Sequence, residues 1–212
     1  MPLSQSLRTI LSLLLVGMPL AVTAGEDDSA VAEYQSLHLT KDPKAAVAGE
    51  YKLDPHHTSV VAKLAHMDLS RYTLRFNDVK GQFTYNPANP AGTPIEITID
   101  PKSVDTGDQA FNTRIAAKYF EIAKFPTITF TSTAIRPAGD HGQIEGILDF
   151  HGVKKPVLLT VIYRGFTDLD NRMGFSAEFT FKRSDFGVGI WVPLESDDVT
   201  ILIETEFVKP PA

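Results

Sequence analysis

The chain has 212 residues, of which 43% are hydrophobic and 22% charged, a composition typical of a globular protein and not of a disordered or fibrous one. Twenty basic against 26 acidic residues give a net charge of −6, which disfavours binding of nucleic-acid phosphates through a basic face. The sequence contains no cysteine, which excludes disulfides, thiol nucleophiles and cysteine-ligated zinc.

The N-terminus has the layout of a secretory signal peptide. Residues 1–24 place a single charge, Arg8, before an apolar run over residues 10–22, and they end on the small residues of Val22-Thr23-Ala24. The run of about 13 apolar residues is too short to span a bilayer, which takes roughly 20. We therefore predict a signal peptide over residues 1–24, a periplasmic location and no integral membrane span.

The pattern of the sequence changes near residue 49. Residues 25–48 are small or charged without a sustained period, and we predict a flexible linker there. From residue 49 to residue 208 apolar and polar residues alternate, which is typical of strands with one buried face. The runs lie near 51–53, 58–66, 72–85, 95–99, 127–131, 144–150, 157–166, 175–182 and 199–207. Their hairpin-compatible spacing predicts one antiparallel barrel or sandwich over 49–208, followed by a tail at 209–212.

One segment, residues 109–123, interrupts the alternation. Phe111, Ile115 and Phe120 recur there at roughly helical spacing, and Asp105 or Thr106 can cap a first turn. We predict a short helix inserted between two strands.

The inward faces of a closed sheet would be almost wholly aliphatic and aromatic. Two interpretations stay open, because a packed core and an elongated apolar cavity use the same residues. Small inward residues (Ala134, Gly146 and Ala177) favour a cavity. The run at 157–166 is apolar on both faces, so the helix or a second subunit is expected to cover its outer face, and a homodimer is considered.

No catalytic or metal-ligating residue is predicted. The six histidines lack the spacing of known metal motifs, and no Gly-x-Ser-x-Gly elbow or phosphate-binding glycine loop occurs. Nucleic acid is not an expected partner, since aromatic residues do not interleave with Lys and Arg. A metal-dependent hydrolase using His57 and His66 is one alternative, and a filled barrel acting as a protein-interaction module is the other.

Two turn segments carry charge at predicted strand ends. Residues 183–187 are interpreted either as a plug that folds aromatic side chains over one barrel end, or as the lip of a pocket with Arg183 near an anionic head group. The hairpin at 151–156 exposes Lys154 and Lys155, which either keep it soluble or contact phosphate.

Several short motifs occur in order between residues 50 and 208. They are YKLDPHHTSV at 51–60, GQFT at 81–84, VDTG at 104–107, FPTITFTST at 125–133, GILDFHGVKKPV at 146–157 and RSDFGV at 183–188. Together they resemble the YceI-like family of periplasmic, polyisoprenoid-binding, lipocalin-like proteins. Two departures imply a reshaped pocket: Ala62 replaces the family's usual aromatic residue, and residues 112–115 replace an acidic-His-Leu stretch.

The resemblance implies an all-β fold, an extended eight-stranded antiparallel β-barrel with the short helix near 109–123. It also implies an apolar lumen that holds an isoprenoid lipid, such as a polyprenyl phosphate or a quinone, and no enzymatic activity. We therefore expect a periplasmic carrier, with Lys154 and Arg183 contacting the head group. The predicted lining residues are Ile97, Phe111, Ile128, Phe130, Phe150, Phe175, Phe179, Phe181 and Ile201.

Overall fold

A computed structural model describes residues 31–32, 39–92 and 94–211. The predicted signal peptide and half of the predicted linker, residues 25–30 and 33–38, lie outside the described residues. Two compact units divide the chain, Met1–Ser36 and Leu37–Ala212, and the second contains the barrel. No helix within the described part of the chain is long and apolar enough to cross a bilayer.

Twelve antiparallel strand segments form one sheet in the second unit. They are β1 (Leu39–Thr40), β2 (Gly49–Leu53), β3 (Ser59–His66), β4 (Ser70–Phe76), β5 (Val79–Tyr85), β6 (Glu96–Ile99), β7 (Val104–Asp105), β8 (Ile128–Ala138), β9 (His141–Phe150), β10 (Val153–Thr167), β11 (Arg172–Lys182) and β12 (Asp198–Val208).

Three pairs of these segments are halves of longer strands. Segments β2 and β3 pair with β5 and β4 on one side, and both pair with β12 on the other. Segments β4 and β5 in turn pair with β7 and β6. Each of the eight resulting strands pairs with the next one in sequence, and β12 closes the ring. The predicted all-β, eight-stranded antiparallel barrel is thereby confirmed.

Asp-Pro dipeptides interrupt two of the long strands. At Asp54-Pro55 and Asp100-Pro101 the carboxylate accepts a hydrogen bond from the backbone N–H two residues later, and proline begins a single 3₁₀ turn. The fixed φ of proline and the aspartate cap favour this turn over continued sheet. The strand resumes after each turn, with its pairing register shifted: Leu53 lies opposite Phe207, whereas Ser59 lies opposite Glu204.

The predicted helix is present between β7 and β8. It consists of α1 (Gln109–Arg114) and a continuing π-helical turn, Ile115–Tyr119. Its cap is Asp108, whose carboxylate accepts from the N–H groups of residues 110 and 111, and not the predicted Asp105 or Thr106. Those two residues instead hold the preceding loop through Asn112.

The helix covers one end of the barrel. Segment β6 pairs with β8 but β7 does not, and Ile115, Ala116 and Phe120 are buried in this region. Phe120 packs against Phe76 and Phe150, with ring centroids 5.9 and 5.7 Å apart. The helix does not shield the outer face of β10, where Leu158 is 49% exposed.

Two apolar clusters lie towards the two barrel ends. One, below the helix, includes Phe76, Phe120 and Phe150, and the other, at the opposite end, surrounds Tyr51, Tyr85 and Met173. Residues 39–48, which the sequence pattern assigned to the flexible linker, pack here. Strand β1 pairs with β10, Ala46 is 2% exposed, and the hydroxyls of Tyr85 and Tyr51 donate to the carbonyls of residues 43 and 47. The segment is held by backbone groups, and such contacts leave no periodic pattern in the sequence.

Candidate functional site

A cavity of about 550 Å³ lies inside the barrel between the two apolar clusters. This is within the range of about 300–1,000 Å³ that is usual for small-molecule sites. Inward-facing side chains such as Phe130, Phe175 and Phe179 are only partly buried. Because these side chains border open space and are not fully packed against each other, the interior is a cavity and not a filled core.

All nine apolar side chains predicted to line the lumen do border this cavity. They are Ile97, Phe111, Ile128, Phe130, Phe150, Phe175, Phe179, Phe181 and Ile201. Eight come from inward positions of the sheet, and Phe111 comes from α1, where its ring meets Tyr72 edge-on at 5.9 Å.

Ala134 and Gly146, two of the small residues predicted to face the lumen, do not border the cavity. A β-bulge between Ser132 and Ala134 shifts the side-chain phase of β8, so Ile135 borders the cavity in place of Ala134. A Cβ atom at Gly146 would lie 2.3 Å from a ring carbon of Phe130. Gly146 therefore makes room for that ring, and Ala177 is the small residue that does line the cavity.

Arg183 borders the cavity, but its guanidinium is bonded mainly to the protein itself. The side chain is buried, and the carboxylate of Glu195 lies 3.9 Å away. The Arg183 guanidinium donates hydrogen bonds at 2.7–3.1 Å to four backbone carbonyls, those of Val188, Ile190, Glu195 and Ser196. Four of the five N–H donors of Arg183 are therefore bonded to the loop between β11 and β12, and the fifth lies on the nitrogen nearest the Glu195 carboxylate. Arg183 fixes this loop, which does not support the predicted head-group contact.

Lys154 does not border the cavity. It lies on the outer face of β10, its side chain is 73% exposed, and its Nζ atom is 3.7 Å from the carboxylate of Asp149. The alternation of β10 places Lys154 outward, so the geometry does not support the predicted head-group contact.

The segment at 183–187 is a plug. Phe186 is 1% exposed, and its ring packs against Phe150 and Phe181 at 5.7 and 5.2 Å. His151 Nδ1 lies 3.1 Å from the carbonyl of Phe186, so the segment at 183–187 and the hairpin at 151–156 meet at this barrel end. Asp185 pairs with Lys155 at the surface.

Charged side chains at the cavity wall are already paired. Besides Arg183 and Glu195, Arg136 pairs with Glu145, and Asp140 pairs with His141. The described part of the wall therefore presents no arginine or lysine whose charge is unmatched.

One polar group at the wall lacks a partner. The hydroxyl of Tyr163 is buried and makes no hydrogen bond with any described residue. Its ring packs on Phe175 at 5.5 Å. Burial raises the pKa of Tyr163, so the hydroxyl stays protonated and is able to donate. Nothing in the sequence distinguishes Tyr163 from its neighbours Tyr51 and Tyr85, whose hydroxyls have carbonyl partners, because those partners are visible only in the folded protein.

An ion-pair network lies at the same end of the barrel as Tyr163. Asp54, His57 and Glu206 offer ligand atoms within 4.8 Å of one another. The guanidinium of Arg172 lies among them, 2.6 Å from the Asp54 carboxylate, and also pairs with Asp170. Burial alone would raise the pKa of Asp54, but hydrogen bonds from His57 and Arg172 outweigh it and hold the pKa well below its usual range. Arg172 thus supplies the positive charge that these carboxylates require.

The two histidines of the hydrolase alternative lie at opposite ends of β3. His57 precedes the strand and belongs to the ion-pair network, and His66 ends it, beside Glu195. An eight-residue strand separates residues by more than 20 Å. The structure therefore does not bring His57 and His66 into one site.

The comparisons with known proteins agree with this architecture. The model of the YceI-like domain matches residues 51–207. The chain is also 35% identical over 171 residues to Protein YceI of Salmonella newport (strain SL254), covering 78% of this chain and 90% of that protein. The chain belongs to the YceI-like family. The YceI-like match runs from β2 to β12 and so spans the whole closed barrel.

Solved structures show the same fold. Burkholderia cenocepacia BcnA is 28% identical, with a TM-score of 0.66 over 73% of this chain and 98% of that one. The Campylobacter jejuni YCEI protein is 26% identical, with a TM-score of 0.60 over 69% and 90%. A polyisoprenoid binding domain from Saccharophagus degradans, 19% identical with a TM-score of 0.58 over 76% and 98%, shares the fold. The YceI-like assignment made from short motifs is confirmed.

Proposed function

We propose that this YceI-like protein is a non-enzymatic periplasmic carrier that holds one amphiphilic lipid, with an isoprenoid-like chain, in its lumen. The observation that carries the proposal is the cavity of about 550 Å³, whose wall is almost wholly apolar. The periplasmic location rests on the signal-peptide pattern of residues 1–24. The polyisoprenoid binding domain of S. degradans, which shares the fold, supports the same class of ligand.

Hydrophobic burial supplies the affinity in this proposal. Each Å² of chain removed from water contributes about 25 cal/mol, and the cost of ordering a long flexible chain offsets part of it. Branched isoprene units suit a wall built from isoleucine and phenylalanine side chains, such as Ile97, Ile201 and Phe130, because these contacts need no fixed hydrogen-bond geometry.

The proposed head group is uncharged. A phosphate inside the lumen would need a cation that has no other partner. The two arginines at the described wall, Arg136 and Arg183, already pair with Glu145 and Glu195. Tyr163 offers one neutral hydrogen-bond donor to a carbonyl or hydroxyl oxygen. A quinone or a polyprenol fits this chemistry better than a polyprenyl phosphate.

Native mass spectrometry of the protein purified from its own periplasm tests the proposal. We expect a protein mass with one bound lipid, and organic extraction should release a neutral molecule with a long apolar chain. A uniform ligand-free mass, with no lipid in the extract, would contradict the carrier function.

Replacing the unpartnered hydroxyl tests the head-group assignment. We expect Tyr163→Phe to weaken binding of geranylgeraniol about 3- to 10-fold, the equivalent of one net hydrogen bond. Binding of squalene, which has no oxygen, should not change. Tyr72→Phe, at the opposite end of the cavity, is the matched control. Equal loss for both ligands, or equal effects of both substitutions, would remove Tyr163 from the head-group site; titration calorimetry measures both.

A further inference from the structure

Large apolar side chains are exposed together at one rim of the barrel. Of the twelve large apolar side chains that are exposed within the described residues, six lie on two adjacent loops. We call them the rim patch: Met67, Leu69, Ile190, Trp191, Val192 and Leu194, with exposed fractions between 38% and 81%.

The two loops of the rim patch are held together by backbone hydrogen bonds. The N–H of Met67 donates to the carbonyl of Leu194 at 2.7 Å, and the N–H of Ser196 donates to the carbonyl of Ala65 at 2.8 Å. Arg183 binds the same loop from inside through the carbonyl of Ile190. The apolar side chains therefore stand on a preformed surface.

Trp191 shows that the exposure is built into the backbone. Its φ angle is 68°, in the left-handed region that bulky residues rarely adopt, and its side chain is 56% exposed. A backbone strained in this way persists only where neighbouring contacts impose it, and here the result is an indole directed to solvent.

The rim patch is continuous with the cavity. Ile190 is 49% exposed and also lines the lumen, as do His66 and Glu195 beside it. Phe186 closes the neighbouring part of this barrel end. A lipid tail that leaves the lumen beside Ile190 passes directly onto the rim patch.

The size and charge of the rim patch favour a lipid surface over a second protein. Its six side chains are far fewer than the roughly 20–30 residues that each partner contributes to a stable protein interface. Segments 67–69 and 190–194 contain a single charged side chain, that of Asp68, which pairs with Arg71 at 2.9 Å. A tryptophan among aliphatic residues is typical of proteins that insert into the interface of a bilayer.

We propose that the rim patch docks the protein onto a lipid bilayer and that the lipid crosses between bilayer and lumen beside Ile190. This inference rests on the proposed carrier function. Since the docking surface carries no net charge, insertion of apolar side chains should drive it with little dependence on salt. Head groups without charge would pass the apolar wall most readily.

Trp191 is the single tryptophan of the chain and reports directly on docking. The purified protein is mixed with vesicles of phosphatidylethanolamine and phosphatidylglycerol whose acyl chains are brominated. We expect a blue shift of tryptophan emission and quenching by bromine, at low and at high salt. Unchanged emission would overturn the proposal.

Flotation with the same vesicles compares matched variants. The double variant Leu69→Asp, Leu194→Asp should partition at least tenfold less than the unsubstituted protein. Leu158→Asp, at a leucine that is 49% exposed on the outer sheet face, should partition normally. Equal partitioning of both variants, or a dimer in sedimentation that only the rim substitutions dissociate, would overturn docking to a bilayer.

Extraction of lipid from the same samples separates this inference from the carrier function. If the unsubstituted protein floats with vesicles, and the rim variant carries lipid in its lumen but does not float, both proposals hold. If the protein floats through the rim patch but never contains lipid, the carrier function fails and the docking surface stands alone. If it contains lipid but never floats, docking fails and the carrier function stands.

Discussion

Phe179→Asp is expected to weaken lipid binding at least 100-fold while leaving the barrel folded. Phe179 lies near the middle of β11, opposite Ile201 in the register, and borders the cavity. A carboxylate at this position stays hydrated, because the described part of the cavity wall has no unpaired arginine or lysine to bind it. A hydrocarbon chain that displaced this water would do so at a cost of several kcal/mol. The loss should appear in titration with geranylgeraniol or squalene.

The next residue on the same strand provides the control. Thr180 is exposed on the outer face, where its hydroxyl lies 3.0 Å from that of Thr200. Thr180→Asp adds the same charge one residue away and should bind lipid normally. A folded Phe179→Asp protein that binds as tightly as Thr180→Asp would show that the lumen is not the binding site.

A second luminal variant covers the possibility of unfolding. Ala177 faces the cavity between Val161 and Ile203. Ala177→Phe places a ring in that space without a charge, and we expect it to exclude a long chain while retaining the circular dichroism of the barrel. Unaltered binding in this variant would likewise contradict a luminal site.

The inward faces of the barrel were predictable because the side-chain period of a strand is a local property. Alternation alone placed Phe175, Phe179 and Phe181 on one face, and the structure puts all three at the cavity. Closure into eight strands needed the motif resemblance, since alternation alone left a barrel and a sandwich equally open. Whether those faces enclose space or fill it depends on three-dimensional spacing, which the alternation does not contain.

The residues that the sequence placed wrongly depend on non-local contacts. Ala134 was assigned to the lumen because a one-residue bulge, which inverts the phase of β8, leaves no compositional mark. Arg183 was assigned to a head group because its true partners are backbone carbonyls, and carbonyls are the same in every sequence. The unpartnered hydroxyl of Tyr163 is visible only once its neighbours have been located.

Arg183→Met is expected to lower the free energy of unfolding by about 3–5 kcal/mol, the largest stability effect we expect from a residue outside the apolar clusters. The substitution keeps the apolar stem but leaves four loop carbonyls without their donor and the Glu195 carboxylate without its positive partner. Urea unfolding, monitored by the emission of Trp191, measures the change.

Two further substitutions test whether the hydrogen-bond geometry of Arg183 causes this loss of stability. Arg183→Lys retains the charge, but an ammonium lacks the planar fork that reaches carbonyls on both sides, so it should restore less than half of the loss. Lys182→Met removes an exposed charge whose partner is Asp198 at 2.9 Å, and should cost at most about 1 kcal/mol. If Arg183→Met costs no more than Lys182→Met, the loop between β11 and β12 is held by its own backbone and apolar contacts, and the guanidinium of Arg183 is free to serve a ligand after all.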